Sequence, residues 1–314
     1  MLASIQKIEN IQPIADADRL ESVGVKGWTC VVPKGQFNIG DYCVYIEIDT
    51  IVPGSFVDKE EPSILVRSLK LRGTLSQGLV LPIGKFPQCK DLPIGTDVSE
   101  LLGVTHFEKN TEGKEPNYKD VFPRFMPKTD EPMIQSIPEK IQELTGQPYY
   151  ISIKYNGCSS TFYNFNEKFG VCSRKSELYE TDSCPFWNVA KKHDLSKILP
   201  CNIAIQGETC GPNISKNRMG LTDYELRVFN VFDIKKGIKF HYDAMISYLQ
   251  GLNIPMVSVI DVGNSFNYTL EQLKQLAIST RYRDQKVEGL VIRSQDQKIS
   301  FKMLNSEYLL KYKE

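Results

Sequence analysis

The first third of the chain is divided by turn residues into short strand-forming stretches, and this pattern limits the fold more than any other feature. Val44, Ile46 and Ile48 alternate with more polar neighbours, which is the period-2 pattern of a half-buried strand. The β-rich run from Trp28 to Val32 ends in a Pro-Lys-Gly turn. Frequent short strands with few helix-length patterns predict a small all-β barrel or sandwich over residues 1–104.

The composition is that of an ordinary globular protein. Of the 314 residues, 41% are hydrophobic and 24% are charged, which excludes wholesale disorder and collagen-like repeats. The length predicts roughly two domains. No apolar run approaches the ~18 residues of a membrane-spanning helix, and the N-terminus does not resemble a secretory signal. We therefore expect a soluble protein of the cytoplasm or another intracellular compartment, with no membrane partner.

Charge leaves the partner open, whereas the cysteine pattern argues against zinc. The 38 basic residues balance the 38 acidic ones, and a neutral total neither predicts nor excludes nucleic acid, because local patches determine binding. The eight cysteines form no C-x-x-C pair and the three histidines lie far apart, whereas zinc ligands usually come in close pairs. We expect reduced, buried thiols and no zinc.

The character of the sequence changes twice after residue 104. The segment from Phe107 to Tyr118 is polar, contains Gly and Pro, and shows no apolar period, so we interpret residues 105–131 as a linker or long loop. Residues 132–314 mix strand and helix patterns, which predicts an α+β domain. The predicted strands are Tyr149–Lys154, Thr161–Asn166, Asn202–Gly207, Arg227–Ile234, Val287–Arg293 and Ile299–Lys302, and the predicted helices are Pro138–Leu144, His241–Gly251 and Thr269–Thr280.

The tetrapeptide Lys154-Tyr155-Asn156-Gly157 directly follows an apolar strand pattern. A lysine at a strand end becomes a covalent nucleophile when burial or neighbouring cations lower the pKa of its amine. By itself the tetrapeptide is a weak signal, since K-x-N-G is more often a surface hairpin turn.

Five further motifs follow the tetrapeptide. They are Ser173-Arg174-Lys175-Ser176, Gln206-Gly207-Glu208-Thr209-Cys210-Gly211-Pro212, Val228-Phe229-Asn230-Val231-Phe232-Asp233-Ile234, Val287-Glu288-Gly289-Leu290-Val291-Ile292-Arg293 and Ser300-Phe301-Lys302. The six motifs in this order resemble those of the covalent nucleotidyltransferases, which include ATP-dependent ligases and mRNA capping enzymes. The E-x-x-G and the G-P-N-I-S-K-N that overlaps its end resemble the RNA ligases in particular.

The first domain resembles the N-terminal OB-fold of RNA ligases of the Deinococcus–Naegleria type. The similar segments are residues 11–53, IQPIADADRLESVGVKGWTCVVPKGQFNIGDYCVYIEIDTIVP, and residues 71–82, LRGTLSQGLVLP. The resemblance implies an α+β protein. An N-terminal OB-like β-barrel precedes a ligase-type nucleotidyltransferase domain with antiparallel sheets and flanking helices.

The activity that the resemblance implies is ATP-dependent RNA ligation. Such an enzyme joins 3′-hydroxyl and 5′-phosphate RNA ends through lysyl-AMP and adenylylated-RNA intermediates. ATP and Mg²⁺ or Mn²⁺ are the implied cofactors. RNA, with a nicked duplex as one candidate form, is the implied partner of a monomeric protein.

The resemblance also implies a role for each matching residue. Lys154 is the nucleophile, Glu208 contacts the ribose hydroxyl, and Lys302 binds the α-phosphate. Phe232 stacks on adenine, with Phe229 as its rival. The other implied contacts are Arg174 with the ribose or the phosphates, and Glu288, Glu208 and Asn156 with a divalent cation.

Two positions depart from the family pattern. Asn156 stands where K-x-D-G has aspartate, so it lacks the carboxylate charge that supports a metal-bound water shell, although it still counts as a nucleotide-binding candidate. Ser300 stands where K-x-K has its first lysine. Lys298, two residues earlier, is the candidate replacement for that charge.

A basic run in the first domain is the candidate RNA contact. Arg67, Lys70 and Arg72 lie beside Gly73, and cations of this kind bind RNA phosphates. The alternative is a solvated charged face.

Two other functions remain open from the sequence. One is a DNA ligase or capping guanylyltransferase, although these enzymes generally carry the OB domain after the nucleotidyltransferase domain. The other is a non-catalytic nucleic-acid binder with a decayed nucleotidyltransferase domain, for which Asn156 and Ser300 are the only sequence support.

Overall fold

The computed structural model describes residues 1–107 and 116–312. The chain divides into two compact units, Met1–Lys109 with Ser306–Glu314, and Asn110–Asn305. Residues 108–115 of the predicted linker lie outside the described residues. No helix in the described ranges is long and apolar enough to cross a membrane.

The first unit is built from short antiparallel strands, as its turn-divided sequence predicts. The strands are β1 (Ala3–Lys7), β2 (Asn10–Pro13), β3 (Leu20–Val25), β4 (Trp28–Pro33), β5 (Tyr42–Ile46), β6 (Thr50–Pro53), β7 (Ser63–Val66), β8 (Ser68–Leu71), β9 (Thr74–Gln77), β10 (Leu79–Pro82) and β11 (Thr105–His106). They pair in the orders β1-β5-β10, β2-β3-β4, β11-β6-β7 and β8-β9. Alternate residues such as Ile5, Val44 and Ile46 enter one apolar core, because successive strand side chains point to opposite faces.

The second unit combines two antiparallel sheets with helices. Its elements are β12 (Tyr118–Val121), α1 (Glu139–Leu144), β13 (Tyr149–Lys154), β14 (Cys158–Phe165), β15 (Lys168–Cys172), β16 (Ser176–Leu178), α2 (Pro185–Lys192), α3 (Leu195–Ile198), β17 (Ile203–Cys210), β18 (Glu225–Asp233), β19 (Ile238–Lys239), α4 (Tyr242–Gly251), β20 (Val259–Gly263), α5 (Leu270–Ser279), β21 (Arg281–Tyr282), β22 (Gln285–Lys286), β23 (Gly289–Ser294) and β24 (Ser300–Leu304). Every strand and helix predicted here is present, with bounds shifted by at most about three residues, a normal uncertainty for element ends.

The four-stranded sheet, in the order β20-β13-β23-β24, has one apolar and one polar face. The apolar face packs against α5, which begins at a capping box between Thr269 and Gln272. Strand alternation turns the intervening residues to the other face. The side chains on the apolar face include Ile151, Ile153, Leu290, Ile292, Phe301 and Met303.

The seven-stranded sheet, in the order β12-β16-β15-β14-β17-β18-β19, is covered on both faces. Helices α2, α3 and α4 pack on one face. Residues 122–131, which we call the strap, contribute Phe122 and Met126 to the apolar cluster on the other face. The carbonyl of Pro127 in the strap accepts a hydrogen bond of 2.8 Å from Gln206.

The position of the strap corrects the linker prediction. Tyr118–Val121 forms an edge strand against β16, and the strap lies on the seven-stranded sheet, so residues 116–131 belong to the second unit. The sequence does not predict this because Pro123 and Pro127 interrupt any regular helix or strand across Phe122 and Met126.

The chain ends in a helix of the first unit. Helix α6 (Ser306–Tyr312) begins two residues after β24 ends, yet it is part of the unit formed by the N-terminal strands. The sequence prediction assigned these residues to the second domain, since it extended that domain to residue 314.

Candidate active site

A cavity of about 800 Å³ lies in the second unit. Its walls include the polar face of the four-stranded sheet, the ends of β14 and β17, and the strap. Ligand pockets typically measure about 300–1,000 Å³, so the cavity is large enough for a nucleotide. Four of the predicted site residues line it, namely Lys154, Arg174, Glu208 and Lys302.

Strand register explains why both lysines reach the cavity. Lys154 pairs with Gly289 of β23, and Lys302 of β24 pairs with Val291 two residues further along β23. Residues two apart on a strand, and their cross-strand partners, share a face. The alternation that buries Ile153 and Phe301 therefore turns both lysines towards the cavity.

Lys154 is held by a carboxylate. Its Nζ donates a 2.7 Å hydrogen bond to Oε1 of Glu288, and its side chain is 25% exposed. Glu288 precedes β23 and contacts Lys154, although it does not itself line the cavity. We call Lys154, Glu208, Glu288 and Lys302 the Lys154 cluster.

The pKa values of two residues in the Lys154 cluster, Glu208 and Lys302, are shifted from their ordinary values. Burial raises the pKa of Glu208 to about 7; the positive charge of Lys154 opposes this rise and the negative charge of Glu288 adds to it. Burial also lowers the pKa of Lys302, and repulsion from Lys154 lowers it further. Perturbed groups that converge on a cavity are typical of catalytic sites.

Gly157 is required by the close approach of β17 to the lysine turn. A Cβ atom at this position would lie 2.4 Å from the carbonyl oxygen of Thr209 and 2.8 Å from Cγ of Glu208. The glycine therefore lets its own N–H donate to Glu208. In this way the turn after Lys154 and the strand end that bears Glu208 stay in contact.

Arg174 forms an ion pair with the strap. Its Nη2 lies 2.6 Å from Oδ1 of Asp130, and both side chains are largely exposed. Asp130 also lines the cavity, but it was part of the predicted linker. Long-range pairing of this kind leaves no periodic signal in the sequence.

The structure brings Phe229, not Phe232, to the cavity, which corrects the predicted choice between them. Phe232 is 6% exposed and packs beneath the strap with Phe122, whereas Phe229 lines the cavity. In the β17–β18 ladder Gln206 pairs with Asn230 and Gly207 with Val228, so Phe229 is an unpaired, bulged residue. A bulge redirects its side chain, and sequence patterns do not disclose it.

A second charged group, which the sequence analysis missed, lies on the same sheet face. Arg293 Nη2 donates to Oε1 of Glu131 at 2.7 Å, and Arg293 Nε donates to Oγ of Ser300 at 3.2 Å. Ser300 donates a short hydrogen bond to Oε2 of Glu131. We call Glu131, Arg293 and Ser300 the Arg293 cluster.

Two predicted nucleotide contacts do not line the cavity. Lys298 lies in the turn between β23 and β24, is 82% exposed and pairs with Asp296 at 3.0 Å, so it does not supply the charge absent at Ser300. The reason is that the strand begins only at Ser300. Asn156 is half-buried, and within the described ranges its buried Oδ1 has no hydrogen-bond partner.

The predicted RNA-contact residues lie in the first unit. Arg67 precedes β8, Lys70 is within it, and Arg72 is in the β8–β9 turn with a φ of 48°. All three are exposed. They remain a prediction.

A divalent cation would find few protein ligands here. Among the described residues, no three His, Cys, Asp or Glu side chains come together as a metal site. Mg²⁺ commonly uses only one or two carboxylates together with substrate phosphates and water. Glu208, Glu288 and the unpartnered Oδ1 of Asn156 are oxygen donors of the type it prefers, so the residues fit.

Comparisons with known proteins cover the whole chain. A family model described as an OB-fold domain matches residues 2–83, and one described as RNA ligase matches residues 147–313. No curated protein matches.

Solved structures of Naegleria gruberi RNA ligase are similar to this chain. A lysine-to-alanine variant with ATP and Mn is 33% identical with a TM-score of 0.85, and the match covers 100% of this chain and 99% of that one. The same ligase with PPi is 34% identical with a TM-score of 0.82, covering 99% and 98%. A lysine-to-methionine variant with AMP and Mn is 33% identical with a TM-score of 0.84, covering 99% of each chain.

Proposed function

This chain belongs to the RNA ligase family, and on that premise we propose that it uses ATP to join RNA 3′-hydroxyl ends to 5′-phosphate ends, with Lys154 as the nucleophile. The family matches confirm the predicted N-terminal OB-fold and the ligase-type domain that follows it. The observation that carries the proposal is the position of Lys154 in the cavity wall, beside Glu208, Glu288 and Lys302.

In the first step Lys154 takes the adenylyl group of ATP. A P–N bond forms between Nζ and the α-phosphorus, the bond from that phosphorus to the bridging oxygen breaks, and pyrophosphate leaves. The amine loses a proton in this step. Glu288, which accepts the 2.7 Å hydrogen bond from Nζ, orients the amine and is within reach of that proton as its acceptor.

The remaining cavity residues bind the nucleotide. Glu208 accepts a hydrogen bond from a ribose hydroxyl, and Lys302 offsets the charge that develops on the α-phosphate. Arg174 contacts the ribose or the phosphates after it exchanges its ion pair with Asp130. Phe229 replaces Phe232 in the adenine-stacking role, because it is the aromatic residue of β18 that lines the cavity.

Glu208, Glu288 and Asn156 would hold the divalent cation. When bound, Mg²⁺ or Mn²⁺ neutralises phosphate charge and aligns the leaving group. The Naegleria gruberi structures with ATP or AMP contain Mn, which supports this assignment.

The later steps join the RNA ends. A 5′-phosphate oxygen attacks the phosphorus of lysyl-AMP, which frees Lys154 and yields adenylylated RNA. A 3′-hydroxyl then attacks the 5′-phosphorus, a phosphodiester bond forms, and AMP leaves. The OB-fold domain positions the RNA through Arg67, Lys70 and Arg72, and a monomer inside the cell, where ATP is available, performs all three steps.

Incubation with α-labelled ATP or GTP tests this function. Covalent label from ATP, lost in Lys154→Ala, is expected. Label from GTP alone would indicate a capping enzyme, and no label would indicate a non-catalytic binder. Sealing of 5′-phosphate RNA but not of 5′-hydroxyl RNA then tests the proposed end chemistry.

A further inference from the structure

The Arg293 cluster is a closed set of hydrogen bonds between two strands and the strap. Arg293 is 2% exposed and donates to Glu131 through both Nε and Nη2, at 3.2 and 2.7 Å. Ser300, its cross-strand partner, completes the set by donating to the other oxygen of Glu131. A buried ion pair persists only when its polar atoms are satisfied in this way.

Arg293 also holds the aromatic residue of the cavity. Its Nη1 donates to the carbonyl oxygen of Phe229 at 3.2 Å, and its Cζ lies 5.2 Å from the centre of the Phe229 ring. Because Phe229 is the bulged residue of β18, the β17–β18 ladder does not fix its backbone. Arg293 therefore supplies a contact to both the backbone and the ring.

Residue 300 has little room for a cation. Arg293 and Ser300 are direct partners across β23 and β24, and the Cβ atoms of such partners lie about 5 Å apart. A lysine at position 300 would place an ammonium group beside the Arg293 guanidinium and remove the hydroxyl that donates to Glu131. Ser300 therefore belongs to this cluster and not to the phosphate-binding cations.

We propose that Arg293 is a positioning residue for the nucleotide base. Glu131 and Ser300 hold Arg293, and Arg293 in turn fixes Phe229 against the base. Ser300 is therefore suited to this cluster and is not the remnant of a lysine that the site has lost. The inference rests on the proposed function for its ligand, ATP.

Substitutions at position 300 separate the two interpretations of the serine. We expect Ser300→Thr to behave as the parent, Ser300→Ala to raise the KM for ATP in self-adenylylation about threefold, and Ser300→Lys to raise it about tenfold or more. The labelling rate at saturating ATP should change less than about twofold, because these substitutions weaken the binding of ATP and leave the reacting groups unchanged. Arg293→Lys, which keeps the charge but loses the planar donor fork, should raise the KM about tenfold.

The dissociation constant for ATP is a second measurement, and it depends neither on the adenylylation step nor on the fraction of protein that folds. In the Lys154→Ala background, the dissociation constant for ATP is measured by calorimetric titration. We expect it to be equal for Ser300 and Ser300→Thr, higher for Ser300→Ala and highest for Ser300→Lys. Lys298→Arg, in the turn that precedes Ser300 and outside the cavity, is the matched control and should change neither the KM nor the dissociation constant.

Two outcomes would decide against the inference. Faster labelling or tighter ATP binding in Ser300→Lys would show that position 300 binds phosphate. Unchanged KM and dissociation constants in Ser300→Ala and Arg293→Lys, with only lower melting temperatures, would show that the cluster is purely structural. Absence of label in the parent protein would instead overturn the proposed function, and the ATP titrations would still test the positioning role.

Discussion

The Lys154 cluster and the Arg293 cluster are built around two cations on one face of the four-stranded sheet, but they differ in how their charges are paired. Lys154 is opposite Gly289 and Arg293 is opposite Tyr150, so about four residues, or ~13 Å, separate them along the β13–β23 pair. In the Arg293 cluster, burial raises the pKa of Glu131, but the positive charge of Arg293 lowers it. The net effect is a pKa below the ordinary value. Around Lys154, burial dominates and raises the pKa of Glu208 to about 7.

This difference in charge pairing distinguishes the Arg293 cluster, which stabilises the fold, from the Lys154 cluster, which is suited to reaction. A fully paired cluster keeps its charges across the ordinary pH range and holds the strap and Phe229 in place. In the Lys154 cluster the pKa values of Glu208 and Lys302 are displaced, as is typical of groups at a reactive site. The same sheet face therefore carries both the rigid and the reactive part of the site.

The largest expected effect is at the nucleophile. Lys154→Ala should lower covalent labelling from ATP by about 10³-fold or more, because it removes the amine that we propose forms the P–N bond. Labelled protein is measured after denaturing electrophoresis. Lys298→Ala, on an exposed turn outside the cavity, should label like the parent, and residual label on Lys154→Ala would identify a different nucleophile.

Removing one carboxylate from each cluster tests the comparison through stability. Glu131→Ala should lower the free energy of unfolding by about 3–5 kcal/mol, since it leaves a buried guanidinium unpaired. Glu288→Ala should cost about 1 kcal/mol or less, because its partner Lys154 is partly exposed. Urea denaturation gives both values, and equal losses would show that the clusters do not differ in this way.

The raised pKa of Glu208 predicts a pH-dependent stability. A carboxyl group whose pKa is higher in the folded than in the unfolded protein stabilises the fold fully at low pH, and this contribution is lost as the pH rises to about 7. Glu208→Gln removes the charge, so at pH 8 it should be more stable than the parent by about 1–3 kcal/mol. The difference should shrink towards pH 5.

Thermal denaturation at pH 5 to 8 without nucleotide measures this difference. Glu167→Gln, at an exposed position of the same unit, is the control and should show no such trend. If Glu208→Gln is less stable than the parent at pH 8, the Glu208 carboxylate is better solvated or paired than burial implies.

The smallest expected effect distinguishes the two aromatic residues of β18. Phe229→Ala should raise the KM for ATP about tenfold, the magnitude of a lost base–aromatic stack, with little change in melting temperature. Phe232→Ala should instead lower the melting temperature and leave the KM of the folded protein unchanged. The reverse pattern would return the stacking role to Phe232.

The amino-acid sequence determined the strands and the residues at their ends. An apolar strand pattern predicted β13 and placed Lys154 at its end. The order of the motifs, through its resemblance to the covalent nucleotidyltransferases, assigned Arg174, Glu208 and Lys302 to the same nucleotide site as Lys154. Strand patterns and short motifs depend on neighbouring residues, which a sequence displays directly.

Only the tertiary structure decided how distant segments complete the site. Glu131 is 162 residues from its partner Arg293, prolines interrupt any regular element in the strap, and a single bulge turns Phe229 to the cavity in place of Phe232. Helix α6 likewise belongs to the N-terminal unit although it follows β24 directly. Such pairings depend on which surfaces meet after folding, and the residues that meet there carry no common short-range pattern.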